Sequence, residues 1–270
     1  MKKMTRFLLP VLAVLLIFAV RSAVLVNFSV EPVMESPEYA YRILEDGSAE
    51  ITKYLGIADS GLVIPQVLDG HKVTAIGYRA FSGSDSTSVT IPESVTSIGE
   101  EAFAYCTELT AVSIQEGVTT IGDGAFAFAD LTSVSIPESV TTIGDHAFSD
   151  SGLTSVHIPE SVTVIGDHAF SGCRGLTSVT IPGSVAAVGD LAFSYSGLTS
   201  VTISEGVTAI GVQAFMGCRS LTSVIIPDSV TSIGVFAFMD CDQAVLTVGP
   251  GSYAEKYAAD EQIAFVHPDC

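Results

Sequence analysis

A solenoid of stacked coils, mainly β with short helical turns and capped at both ends, is the fold class predicted by this 270-residue sequence. Three observations predict it. An Ala-Phe pair recurs at Phe81, Phe103, Phe126, Phe148, Phe170, Phe193, Phe215 and Phe238, spaced 22 or 23 residues; the residues between repeat one polar and apolar pattern; and that pattern fails at both ends. A repeat array escapes the usual size limit of a single core, because its core grows with each coil.

From Ile76 onward the chain repeats Leu-Thr-Ser-Val-x-Ile-Pro-Glu-Ser-Val-Thr-x-Ile-Gly-x-x-Ala-Phe, followed by a short variable gap. The stretch Leu131-Thr132-Ser133-Val134-Ser135-Ile136 has the L-x-x-L-x-L form of leucine-rich repeats. Alternation turns Leu131, Val134 and Ile136 inward and Thr132, Ser133 and Ser135 outward, which predicts a strand. Pro137 has no N–H to give and ends it. Val140 and Ile143 bring a second short β side back to the core, Gly144 permits the corner, and Ala147-Phe148 is predicted to close the coil in a short helical turn. From the strand Leu to the next Phe the interval is always 17 residues, as in Leu131 to Phe148 and Leu176 to Phe193, so length variation falls after Phe. One coil cannot bury such a face alone, and stacking turns identical positions into continuous ladders. This predicts a leucine-rich-repeat array of about eight coils over 76–248.

The ends of a solenoid expose its apolar cross-section and need covers. Residues 41–75 are predicted to form a hairpin cap, with strands around Asp46-Gly47, and an entry coil. Residues 249–270 are predicted to form the other cap. There Ser252-Tyr253-Ala254-Glu255 opens a helix with a capping box, Tyr253/Tyr257 and Ala254/Ala258 make an i, i+4 stripe, and Ile263-Ala264-Phe265 is a closing strand. Residues 31–40, with Pro32 and Pro37, form a tether. Residues 1–30 are a targeting segment: Lys2, Lys3 and Arg6 precede an apolar run from Phe7 to Val20, shorter than the roughly 20 residues of a spanning helix. Arg21 lies close before a small-residue cut after Ala23, so a cleaved signal peptide and a retained N-terminal membrane anchor both stand as readings. Each places the repeats outside, secreted or on the extracellular face of the membrane.

Four of the eleven basic residues belong to that segment, which leaves seven Lys and Arg against 30 Asp and Glu. So acidic a surface repels phosphate; nucleic acid is excluded as a partner, and membrane contact is expected only through the N-terminal segment. The sequence carries no G-x-S-x-G, H-E-x-x-H or P-loop, which predicts no enzyme and no cofactor.

The run IPESVTTIGDHAFSDSGLTSVHIPESVTVIGDHAFSGC resembles the BspA-like leucine-rich-repeat family of bacterial and protozoan surface proteins, over roughly Asp46 to Phe265. The Asp-Gly hairpin leading into Leu62-Val63-Ile64-Pro65 and the Gly251-Ser252-Tyr253-Ala254 helix start are similar to that family's ends. The resemblance implies a cell-surface or secreted protein, some members acting as adhesins toward host matrix proteins or other microbes. No second domain, sortase attachment or lipid attachment is expected.

The candidate binding face is the outward side of the strands: Thr132, Ser133 and Ser135, then Thr154, Ser155 and His157, then Thr177, Ser178 and Thr180, then Thr199, Ser200 and Thr202. Solenoids bind along such extended faces, and small hydroxyl residues also suit an exposed sheet that binds nothing. Glu93, Glu116, Glu138, Glu160, Glu205 and Asp228 predict one carboxylate stripe, and Asp123, Asp145, Asp167 and Asp190 a second; both are read as solvated, with calcium bridging as the alternative. His146 and His168 should stack, but two histidines fall short of a zinc site, and no metal is predicted. Cys106, Cys173, Cys218 and Cys241 share an inward register that predicts buried free thiols; only Cys218 and Cys241 lie in adjacent coils and could bridge, and Cys270 is left as an odd thiol. These readings predict an exported module that recognises a protein or glycan through the repeat face, with adhesion as its use. The alternative is a structural or self-assembling envelope scaffold.

Overall fold

The computed structural model describes residues 33–57 and 60–268. The targeting segment and Cys270 lie outside them. Each coil has three sides. The strand side carries three- or four-residue strands such as Ser178–Ile181, whose burial alternates exposed and buried. The short side carries two-residue strands such as Thr142–Ile143. A turn side carries the Ala-Phe pair.

Coils stack in parallel. A 12-stranded sheet runs up the short side from the hairpin Tyr39–Ile43 and Ala49–Tyr54 to Ser232–Ile233. Register is kept by identity: Thr120 pairs with Thr142 and Ile121 with Ile143, so each coil meets its own pattern one step on. The Ala-Phe coils are extended by rungs without Phe at both ends, giving about ten turns where the sequence count gives eight. Within the predicted tether, Met34–Glu35 pairs antiparallel with Ala40 and Tyr41.

The Phe residues form the central column. Successive rings from Phe81 to Phe238 lie 4.9 to 5.6 Å apart and within 13° of parallel. A tyrosine closes each end of that column, Tyr54 stacked on Phe81 and Tyr257 edge-on to Phe238. Burial of their rings pushes the hydroxyls of Tyr257 and neighbouring Tyr39 up to about 12.

The predicted helical turn is instead a ladder of tight turns, and the C-terminal helix is the single helix among the described residues. Three N–H groups of each coil donate to the next coil, as Phe148 N does to Ala169 O (2.8 Å), with His146 to Asp167 and Asp150 to Ser171 on either side. Aiming alternate N–H groups along the solenoid axis forces the outer two residues into the left-handed region, His146 at φ 55° and Asp150 at φ 51°. Even Leu191 and Phe236 adopt it. Such a backbone costs about 1–2 kcal/mol for a non-glycine residue, and the three inter-coil bonds offset it.

The C-terminal cap forms as Tyr253–Asp260, where Ser252 Oγ accepts from Glu255 N (3.1 Å) and the Glu255 carboxylate accepts from Gly251 N. That N–H, with His267 beside it, holds the Glu255 carboxyl below its ordinary value. Ala254 and Ala258 are buried with Tyr257 against the last coil, while Tyr253 is exposed. The closing strand is Ala264–Val266, parallel to Val245–Val248.

Gly122 shows how little room the corner leaves, since a Cβ there would lie 2.7 Å from Ile98 O and 2.8 Å from the Gly99 carbonyl carbon. Both are backbone atoms that cannot step aside without breaking the rung. Gly122→Ala is therefore expected to destabilise the array by roughly 2–3 kcal/mol, read as a lowered urea midpoint, whereas Ala127→Gly on the turn side should cost about 1 kcal/mol or less.

Candidate binding face

The twelve predicted residues lie together along the strand side, ten exposed and Ser200 and Thr202 half-buried. Their roles divide. Thr132, Thr154 and Thr199 each donate the hydroxyl and the backbone N–H to the Thr carbonyl of the preceding coil (Thr110, Thr132 and Thr177), so these side chains are committed to the ladder. Thr177 makes neither bond to Thr154 among the described residues. The outward Ser133, Ser135, Ser155, His157, Ser178 and Thr180 make no side-chain hydrogen bond among those residues and face solvent.

Thr177 marks a break. The strand side is two five-stranded sheets, one ending at Ser155–His157 and the other beginning at Ser178–Ile181, with no pairing between them. On the short side the same junction keeps one paired rung, Ile165 with Val188, and lacks the bond by which Gly166 N reaches Ile143 O one coil earlier. The turn side is intact, with His168 N, Phe170 N and Gly172 N donating to Asp190, Ala192 and Ser194 at 2.7 to 2.8 Å. Asp190 N also reaches Asp167 Oδ1, and Ser184 Oγ reaches Val162 O. The junction is a seam, unpaired on the strand side though its two strands stay adjacent, and fully bonded on the turn side.

The sequence of the later coil accounts for the seam. Ala186 stands where Thr163 and Thr208 stand, and without a hydroxyl it cannot bond the preceding carbonyl as they do. Gly183 replaces the acidic residue found after Pro137, Pro159 and Pro227. A Cβ at Gly183 would lie 2.1 Å from Glu205 O, so glycine lets this coil press closely on the following one.

A groove of about 320 Å³ lies at the opening, lined by Val156, His157, Ser178, Thr180, Ser200 and Thr202 among others. Five of the twelve predicted residues are brought together there. Reasoning from the sequence missed Val156, whose counterparts Val134, Val179 and Val201 are buried while it is only half-buried. The run Gly183-Ser184-Val185-Ala186-Ala187-Val188, with its lost hydroxyl and lost Ile, was the signal that could have found it.

The other constellations are structural. Asp123, Asp145, Asp167 and Asp190 each accept the backbone N–H one coil on, at 2.9, 2.8, 2.7 and 2.6 Å, so this stripe is a set of caps. Among the described residues no group of three His, Cys, Asp or Glu could hold a metal ion. His146 and His168 stack at 4.4 Å. Desolvation, then the neighbouring His146, holds His168 below its ordinary value. The folded state thus disfavours the proton, and this group costs stability as pH falls below about 6.5.

The four cysteines are buried free thiols, each donating to a Phe carbonyl of an earlier coil, as Cys173 does to Phe148 O. Burial pushes Cys106 and Cys173 up to about 11. The interaction between the adjacent Cys218 and Cys241 thiols lowers Cys218 and raises Cys241.

A β-solenoid with leucine-rich strands, stacked in register and bearing an open strand face, defines the class as a leucine-rich-repeat protein. The model of the BspA-type leucine-rich-repeat region matches residues 65–153 and 141–253 in six copies, and the chain belongs to that family. A leucine-rich-repeat protein of T. pallidum is similar in structure, with a TM-score of 0.57 and 26% identity, covering 88% of this chain and 98% of that one. The pneumococcal vaccine antigen PcpA shares the fold at a TM-score of 0.60 and 18% identity, covering 82% of this chain and 70% of that one. No curated protein matches. Leucine-rich-repeat proteins generally bind proteins and are generally non-enzymatic scaffolds.

Two outcomes are expected. In amide exchange followed by NMR, Thr177 should exchange roughly 100-fold faster than Thr132 and Thr199, and equal protection would show the seam closed in solution. Mild oxidation with diamide should join Cys218 to Cys241, a loss of two hydrogens mapped by peptide mass; a bridge to Cys106 or Cys173 would contradict the stacked register.

Proposed function

We propose that the protein is an exported recognition module that binds a protein or glycan partner through its strand face, centred on the seam, and serves adhesion. One observation carries this reading: the break in the strand ladder, single among the described residues, coincides with the hydroxyl-rich candidate face, and a groove lies there. Away from the seam, this side leaves unpaired edges among the described residues only at its two terminal strands, Leu62–Val63 and Ala264–Val266. The leader read in residues 1–30 supports placing the repeats outside the membrane, and family membership supports a surface role. The exposed apolar residues Val235, Phe236 and Met239 at the last coil favour the rival reading of a self-assembling scaffold.

Binding of residues 31–270 to arrays of extracellular-matrix proteins and glycans, beside a light-scattering mass, separates the two. Recognition predicts a saturable hit weakened at least about tenfold, or roughly 1.4 kcal/mol, by His157→Glu or Thr180→Arg with an unchanged melting temperature. A blank array with a mass that grows with concentration would establish the scaffold instead.

A further inference from the structure

We propose, resting on the recognition role of the groove, that its ligand is an extended peptide segment of a partner protein. The segment pairs main chain to main chain with the strand edges left open at the seam. Backbone N–H and C=O groups are obligatory hydrogen-bonding groups, and an unpaired strand edge is a template for another strand. Ser155–His157 is hydrogen-bonded only to Ser133–Ser135 and Ser178–Ile181 only to Ser200–Ile203, although the two strands lie side by side across the seam. The equivalent Thr N–H to Thr carbonyl bond is present at Thr110, Thr132, Thr154, Thr199 and Thr222 and missing at Thr177.

The side chains favour the same ligand. Half-buried Val156 exposes part of the core at the groove, where an alternate small apolar residue of a guest strand would cover it. The rim offers hydroxyls and His157, and no carboxylate, amide or aromatic ring other than that imidazole lines the groove to fix a sugar. Neither edge carries a carboxylate, lysine or arginine to repel a strand.

The hinge is built in. Paired strands sit about 4.8 Å apart, so one guest strand needs roughly 9.6 Å between its hosts. The blocks on either side of the seam are joined most fully along the turn side, by the bonds from His168, Phe170 and Gly172. Rotation about that side widens the strand side while the Phe170 and Phe193 rings stay stacked.

A cross-seam lock tests this. Ser155→Cys with Ser178→Cys, in a Cys270→Ser background of the full chain, places two outward thiols at equivalent positions across the seam. The probe is a library of N-acetylated, C-amidated decapeptides, screened against open and locked protein, with each hit remade carrying N-methyl groups on alternate backbone amides. Expected are peptide hits weakened at least tenfold by the lock, restored by dithiothreitol, and weakened at least tenfold by N-methylation in one of the two alternate frames only. Should the double variant fail to fold, slowed amide exchange at Thr177 and Val179 of the unmodified protein on adding a hit peptide gives the same answer. Hits indifferent to both the lock and N-methylation would overturn strand pairing. So would a library without hits beside a matrix-protein or glycan hit that His157→Glu weakens, which leaves the recognition face standing. Loss of every hit on every array would sink the recognition role itself.

Discussion

The separation between successive coils governs everything else in this molecule. Parallel ladders hold neighbouring strands near 4.8 Å, and the Phe column accommodates that repeat with centroids 4.9 to 5.6 Å apart. Every position in the coil must therefore tolerate its own copy at that distance. Branched apolar residues do so by stacking, and glycine is forced where even a Cβ would strike the neighbouring backbone. Polar residues survive by bonding along the axis: Thr hydroxyls to Thr carbonyls, Asp carboxylates to the next N–H, and thiols to Phe carbonyls. An aspartate column is a repulsive arrangement on charge alone. It holds because each carboxylate accepts an N–H that would otherwise be unsatisfied at the corner.

Much of this was legible because repetition amplifies a weak signal. A single Val134 says little, but Val112, Val134, Val179 and Val201 at one register fix an inward side, and all four are buried. The capping box at Ser252 and the Asp-Gly hairpin were legible because their chemistry is local. The turn side was not. His146, Leu191 and Gln213 carry no mark of a left-handed backbone, since what forces that backbone is a row of carbonyls on another coil. The sequence pattern therefore looked helical where no helix forms. The candidate face was legible as a face but not in its division of labour, because the L-x-x-L-x-L pattern points Thr132 and Ser135 outward alike and only the stacked geometry engages the Thr132 hydroxyl.

The seam is illegible for a related reason. The substitutions behind it, Ala186 for Thr, Val188 for Ile and Gly183 for an acidic residue, leave the repeat pattern uninterrupted. Their effect is on a junction and not on a coil. Stability of a solenoid is close to a sum of coil terms and nearest-neighbour terms, so a junction that loses several bonds, each worth about 1 kcal/mol net, becomes the weakest link in the sum. The array then behaves as two blocks joined mainly through the turn side, and local opening concentrates at Thr177 before it reaches any other rung.

That weakness bears on where recognition can occur. A fully paired strand side offers a partner only side chains, since its backbone groups are already spent on the ladder. Among the described residues, the seam is where unpaired backbone groups, an accessible piece of core at Val156 and unengaged outward side chains at His157, Ser178 and Thr180 lie together, and this is what the proposed ligand would use. A Thr at position 186 would supply the hydroxyl bond that Thr163 and Thr208 make, so the unpaired junction costs stability that the repeat supplies elsewhere. A ligand that binds the open arrangement recovers that cost as affinity, because it has differential contacts with the open and closed junction. Ala186, Val188 and Gly183, which set this junction apart, thus mark the place where the proposed partner would gain most by completing the ladder.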